Sequence, residues 1–75
     1  MIDKRTRKII NKLIHDYYPH AVVLKAVDWD NDLYIVSAPD NDDREQLDPF
    51  YSVNKHTGEV KPFYMGLNIF RFNSL

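Results

Sequence analysis

Cysteine is absent from this chain of 75 residues, and glycine occurs only twice. Without cysteine there is no disulfide bond and no thiolate metal site, a composition that fits a reducing compartment. Two glycines are too few for the glycine-rich loops that hold the phosphate groups of nucleotides and dinucleotides. The sequence therefore predicts no cofactor, and it excludes the most common nucleotide-binding fingerprints.

Long hydrophobic runs are also missing from the sequence. None approaches the roughly 18 consecutive apolar residues that would indicate a membrane-spanning helix. The N-terminus reads Met1-Ile2-Asp3-Lys4-Arg5 and shows no apolar h-region, so we expect no secretory signal. We therefore expect no association with a membrane.

What the sequence does contain is typical of a small globular domain. Hydrophobic residues make up 44% of the chain and aromatic residues 13%. The length predicts one domain that spans residues 1–75. A domain of this size has a small core, so its large aromatic side chains must supply much of the buried area.

The N-terminal region has the spacing of an amphipathic helix over residues 4–17. Asp3 is the predicted N-cap, and Pro19 disfavours helical geometry at Tyr18, where the helix should end. The residues expected on its apolar face are Ile2, Thr6, Ile9, Ile10, Leu13 and Tyr17.

The remainder of the chain alternates between β-prone segments and turn signals. The predicted strands are residues 21–27, 33–36, 50–54 and 59–64. Turns are expected at residues 30–32 and at residues 55–58, where Gly58 should adopt a positive φ. The last residues, 65–75, are too apolar to be free and should pack back on the domain.

These elements predict an α+β fold with one N-terminal amphipathic helix packed on a three- to four-stranded antiparallel sheet. The strands should follow one another as a meander, in the order α-β-β-β-β. The alternative is a three-stranded core whose last segment is exchanged with a second subunit.

Acidic residues are concentrated between residues 28 and 48, which carry eight of them against one arginine. Asp28, Asp30 and Asp32 have the spacing that opens an EF-hand calcium loop. That loop needs glycine where this chain has Leu33, and glutamate where it has Pro39. We therefore predict a turn and no metal site. Residues 38–49 should form a polar loop, whose use in function the sequence leaves open.

Candidate catalytic chemistry is equally sparse. His15, His20 and His56 are scattered along the chain and show neither zinc spacing nor a nucleophile–base pairing. We predict that the protein is not an enzyme, has no catalytic residue, and has no evident small-molecule substrate.

The first 12 residues carry five basic side chains against one acidic side chain. Positive charge at a helix N-terminus opposes the helix dipole, so this arrangement needs a reason. One hypothesis is an anion-binding or nucleic-acid-binding face. The alternatives are contact with the acidic loop of the same chain, or a tolerated feature that aids solubility. The candidate binding residues are Lys4, Arg5, Arg7, Lys8 and Lys12.

The C-terminal region is richer in aromatic residues than a one-sided core of this size can absorb. Either these residues close the second face of the sheet, or they form an interface with a protein partner or a second copy. The candidate interface residues are Phe63, Tyr64, Leu67, Phe70 and Phe72.

The stretch DPFYSVNKHTGEVKPF, residues 48–63, resembles a segment of small proteins encoded by bacteriophages and prophages. The shared pattern is an aromatic strand, a Lys-x-Thr-Gly turn, and a second strand with a Pro-Phe ending. The resemblance implies a phage-type origin, and a place in the bacterial host cytoplasm or in the virion. It also implies virion assembly or inhibition of a host protein, and it transfers no catalytic residue.

Two functions follow from the sequence. The first is a small non-enzymatic protein-binding module of phage or prophage type, which acts through a protein partner or through self-association. The alternative is a nucleic-acid-binding accessory protein that uses the basic N-terminal helix.

Overall fold

The computed structural model describes residues 2–39 and 50–75. Helix α1 and four strands are followed by a short 3₁₀ turn and a second helix. Their bounds are α1 Lys4–Tyr17, β1 Lys25–Asp28, β2 Leu33–Ser37, β3 Phe50–Asn54, β4 Val60–Pro62, the 3₁₀ turn Gly66–Asn68 and α2 Ile69–Ser74. The sheet is antiparallel with the order β1-β2-β3-β4, so the predicted α+β meander is confirmed. Residues 40–49 of the predicted polar loop lie outside the described residues.

Helix α1 begins and ends where local chemistry predicts. The Asp3 carboxylate accepts a hydrogen bond from the backbone N–H of Thr6 at 2.8 Å, as an N-cap does. That hydrogen bond holds the pKa of Asp3 below its usual value. At the other end, the N–H of Tyr18 still bonds to the carbonyl oxygen of Ile14 at 2.7 Å, and Pro19 then prevents a further turn.

The side of α1 that faces the sheet differs from the predicted apolar face. Ile10 and Ile14 are fully buried, whereas Ile9 is 55% exposed and Tyr17 is 51% exposed. Leu13 is only half-buried. A helix on a sheet buries a narrow strip, and successive residues are rotated by about 100° around the axis. The prediction was therefore wrong at Ile9, and it omitted Ile14. It was also wrong at Tyr17, which lies on the same side of the helix as Ile10 but is exposed as the last residue of α1.

Strand β1 is shorter than predicted because a β-bulge interrupts it. Lys25 lies opposite Ser37, and the N–H of Leu24 also bonds to the Ser37 carbonyl oxygen at 2.8 Å. Leu24 and Lys25 thus both lie opposite the single residue Ser37. The extra residue shifts the register and changes which side chains face α1. Before the bulge Val23 packs toward α1, and after it Ala26 does.

The sheet is covered on both faces, so the domain has three layers. Along β2, Val36 faces α1 while its neighbour Ile35 faces the C-terminal segment, as strand alternation requires. The buried residues on the α1 side are Ile10, Ile14, Ala21, Val36, Ala38, Tyr51, Val53 and Val60. Those on the opposite side are Val27, Trp29, Ile35, Met65 and Phe72. Two core clusters explain how a chain of this size accommodates so many aromatic residues.

The turn between β3 and β4 is built by side chains that suit it. The Asn54 side-chain oxygen accepts hydrogen bonds from the N–H groups of His56 and Thr57, at 2.8 and 3.0 Å. Gly58 has φ of 74°, which confirms its predicted positive φ. A Cβ atom at Gly58 would lie 3.3 Å from a methyl group of Leu13, so the turn also approaches α1 closely. Glycine thus meets a backbone requirement and a packing requirement at once.

Candidate functional site

The C-terminal segment presents four large apolar side chains to solvent, and three of them are more than 70% exposed. Tyr64, Leu67 and Phe70 are 82%, 87% and 72% exposed. They are spaced three residues apart, with Leu67 in the 3₁₀ turn, Phe70 in α2 and Tyr64 just before both elements. These three residues are called the C-terminal patch.

The opposite side of the same segment belongs to the core. Phe72 is 3% exposed and packs edge-on against Phe50, with ring centroids 5.2 Å apart. Phe63 is half-buried and makes a similar contact with Trp29 at 5.8 Å. The predicted five-residue interface is therefore divided by the fold. Phe72 covers the second sheet face and is not available to a partner, which corrects its place among the interface candidates.

Two cations bind α2 to the sheet. The Arg71 guanidinium donates a hydrogen bond to the Trp29 carbonyl oxygen at 2.5 Å and lies over the indole ring, 4.1 Å from its centroid. The Lys25 ammonium donates to the Phe72 carbonyl oxygen at 3.1 Å and lies 4.8 Å from the centre of the Phe72 ring. Both contacts combine a charge-assisted hydrogen bond with a cation–π interaction. The C-terminal patch is thus carried by an element that is anchored to its own sheet.

Four of the five predicted basic residues form a continuous exposed face on α1. Lys4, Arg5, Lys8 and Lys12 lie within about 100° of one another around the helix axis. None of these four side chains forms an ion pair within residues 2–39 and 50–75. They are called the basic face.

Arg7, the fifth predicted cation, lies elsewhere. It is half-buried, and its guanidinium points to the carbonyl oxygens of Val23 and Leu24 at 3.4 and 3.5 Å. Its position on the helix is next to the buried strip, so it contacts the chain that leads into β1. Arg7 is therefore separate from the basic face.

The three aspartates with EF-hand spacing are directed to different protein groups. Asp28 pairs with Lys55 at 2.5 Å, and Asp32 lies 3.2 Å from the imidazole of His56. The Asp30 carboxylate accepts hydrogen bonds from the N–H groups of Asp32 and Leu33, both at 2.8 Å, and so closes the β1–β2 turn. The bond from the Asp32 N–H contributes most to lowering the pKa of Asp30.

Lys55 joins this turn to the neighbouring β3–β4 turn. Its ammonium also donates to the Asp30 carbonyl oxygen, and the bond to Asp28 raises the pKa of Lys55. Within the described residues no group of three or more potential metal-ligating side chains lies together. The acidic turn thus has a structural use, and the absence of calcium binding stays a prediction.

Two of the three histidines contact groups that connect elements of the fold. The His15 imidazole Nε2 lies 2.9 Å from the Ala21 carbonyl oxygen, across the exit of α1. His56 faces Asp32 across the two turns. His15 and His56 therefore have structural contacts. The expectation that the protein is not an enzyme stays a prediction.

No protein-family model, no curated protein and no solved structure matches the chain. The resemblance of residues 48–63 to phage proteins therefore stays a prediction. In the part of the chain that the structure describes, no helix is long and apolar enough to cross a bilayer. The C-terminal patch and the basic face are therefore the two candidate functional surfaces.

Proposed function

We propose that the protein is a small non-enzymatic protein-binding module of phage or prophage type, and that the C-terminal patch is its binding surface. In this role it serves as a virion assembly subunit or as an inhibitor of a host protein. The observation that supports the proposal is the exposure of Tyr64, Leu67 and Phe70 on an element whose other side is held in the core.

Energetic considerations support this surface. Full burial of a leucine or phenylalanine side chain contributes about 1.5–3 kcal/mol. Aromatic residues also dominate the binding energy of many interfaces, where a few side chains supply most of the affinity. Because Arg71 and Lys25 already hold α2 on the sheet, little conformational entropy remains to be lost on binding.

The proposal is tested with charged substitutions on the two sides of the molecule. The tagged protein, the Leu67→Glu/Phe70→Glu variant and an Ile9→Glu control are used for affinity purification from a bacterial host lysate. Ile9 is a matched control because it is an exposed apolar residue on α1, across the sheet from the patch. A protein retained by the wild type and by the control, but not by the double variant, is then purified for titration.

With the purified partner, the double variant should bind at least about 30-fold more weakly, since two hot-spot contacts are lost. Ile9→Glu should bind as tightly as the wild type. Sedimentation of the protein alone, with the same variants, reports whether the partner is a second copy. A partner that binds the wild type and the double variant equally well contradicts the assignment of the patch.

A second candidate function is nucleic-acid binding through the basic face. The observation that favours it is the exposure of Lys4, Arg5, Lys8 and Lys12 without an ion pair to any described residue. Against it stands the net charge of −1, which favours repulsion of a polyanion at long range. We rank it second for this reason.

The salt dependence of DNA binding tests this second candidate function. Four phosphate contacts on duplex DNA should give a log–log slope of about −3.6, from about −0.9 for each contact. A sub-micromolar complex at about 150 mM salt that is lost in Arg5→Glu/Lys8→Glu would place nucleic-acid binding first. We expect no such complex. Lys61→Glu, a charge reversal at an exposed position on β4, is the control for a general charge effect.

A further inference from the structure

The two edges of the sheet differ in whether they can accept another strand. On β4, the Phe63 N–H bonds to the Phe50 carbonyl oxygen at 3.0 Å, and the Glu59 carbonyl oxygen accepts from the Asn54 N–H at 2.9 Å. Because hydrogen-bonded pairs alternate along the ladder, the peptide nitrogen of Pro62 points away from β3, toward the open side. Proline has no N–H to donate there, so it blocks pairing with a further strand.

Among the residues that the structure describes, the edge formed by β1 carries no such block. The Trp29 N–H bonds to the Leu33 carbonyl oxygen at 3.1 Å, and Val27 lies opposite Ile35. Because hydrogen-bonded pairs alternate along an antiparallel ladder, the peptide groups of Ala26 and Asp28 point away from β2. Arg7 covers the edge only at Val23 and Leu24, before this point.

A groove of about 190 Å³ runs along this open edge. Its base is formed by residues 25–28, Ile2 and Arg7 stand on the α1 side, and Leu75 lines the other side. Leu75 is 54% exposed and Ile2 is half-buried, so the groove has apolar walls beside backbone groups that pair with no strand of the described residues. An extended peptide needs this combination, because backbone bonds provide affinity and wall contacts provide specificity.

The charges in the groove favour an acidic occupant. Arg7 and Lys25 both line it, and neither forms an ion pair with a described residue. The acidic side chain in the groove, Asp28, is already paired with Lys55. A second copy paired through the same edge would bring Arg7 and Lys25 toward their own equivalents. Charge complementarity thus favours a different, carboxylate-bearing segment.

We propose that the β1 edge binds an extended, acidic segment of a partner protein, which is added to the sheet as a fifth strand. The backbone of Ala26 and Asp28 pairs with the segment, and a carboxylate of the segment contacts Arg7 and Lys25. An apolar side chain of the segment lies between Ile2 and Leu75. This surface is distinct from the C-terminal patch, so either proposal can fail without the other.

The test begins with a displayed library of random peptides of about 12 residues, selected on the immobilised wild-type protein. Enriched peptides should combine β-branched or other apolar residues with at least one Asp or Glu. The strongest binder is synthesised and titrated by fluorescence anisotropy. Amide chemical shifts then report whether residues 25–28 respond.

Ala26→Pro is the decisive variant, because it gives β1 the block that Pro62 provides on β4. It removes a donor that β2 does not use, so the fold should be retained, and binding should fall at least about tenfold. Arg7→Gln/Lys25→Gln keeps hydrogen-bond donors but removes both charges, and it should weaken binding about tenfold. This second variant decides the question if Ala26→Pro does not fold.

A peptide with Glu replaced by Gln should lose affinity for the wild type but not for Arg7→Gln/Lys25→Gln, since the charges act as a pair. Leu67→Glu/Phe70→Glu should bind the peptide as the wild type does. The proposal is overturned if no acidic extended peptide is enriched, or if folded Ala26→Pro binds with unchanged affinity. A dimer in sedimentation that Ala26→Pro abolishes would also overturn it, in favour of self-pairing.

Discussion

Replacing Ile14 by alanine should lower the free energy of unfolding by about 2–5 kcal/mol, whereas Ile9→Ala should change it by less than about 0.5 kcal/mol. Ile14 is fully buried between α1 and the sheet, in contact with the cluster around Val36 and Tyr51. Its truncation removes favourable transfer energy and leaves a cavity. Ile9 lies on the same helix but is 55% exposed, and the better helix propensity of alanine offsets its small loss of contact.

Urea denaturation followed by far-ultraviolet circular dichroism measures both variants. A domain has a stability of about 0.05–0.15 kcal/mol per residue, so the Ile14 variant loses a large share of the total. The slope with urea should stay unchanged if the native compactness is retained. Equal destabilisation of the two variants would mean that α1 is rotated relative to the sheet, with Ile9 facing inward.

The parts of the fold that local chemistry determines could be predicted from the sequence. Asp3 and Pro19 mark the two ends of α1 because one accepts the first free N–H groups and the other cannot continue a helix. Asp30 and Gly58 mark the two hairpin turns for similar reasons. Each of these effects acts within a few residues of the chain and needs no knowledge of the tertiary structure.

The rotation of α1 depends on tertiary contacts, and its prediction was wrong in part. Ile9, Ile10, Leu13 and Ile14 together cover a wide arc of the helix. The position of the sheet decides which of these four side chains is buried. The bulge at Leu24 was also invisible, because a run of apolar residues shows no alternation whose interruption could be recognised.

The candidate binding surfaces could be predicted only as groups of residues. Phe70 and Phe72 are about 200° apart around α2, so one is exposed and the other is buried. The sequence shows two similar aromatic residues, and only the position of α2 on the sheet separates them. The sequence likewise groups Arg7 with the other N-terminal basic residues, although Arg7 contacts the chain before β1.

Phe72 should be the residue on which the second core cluster depends most. Phe72→Ala is expected to lower the free energy of unfolding by about 3–5 kcal/mol, and Phe70→Ala by less than about 0.5 kcal/mol. The Phe72 ring packs against Phe50 and lies beneath the Lys25 ammonium, so its removal eliminates an aromatic pair and a cation–π contact as well as buried area. Phe70, 72% exposed, has few contacts to lose.

The single tryptophan of the chain allows this effect to be localised. Trp29 is 8% exposed in the same cluster and is covered by Arg71 of α2. Helix α2 has only six residues and cannot form alone, so loss of Phe72 should release it from the sheet. Trp29 fluorescence should then shift to longer wavelength in Phe72→Ala and stay unchanged in Phe70→Ala. Release of α2 would also disrupt the C-terminal patch, so under the proposed function Phe72→Ala should weaken partner binding although Phe72 itself is buried. An unshifted Trp29 spectrum with wild-type stability in Phe72→Ala would contradict the docking of α2 on the sheet.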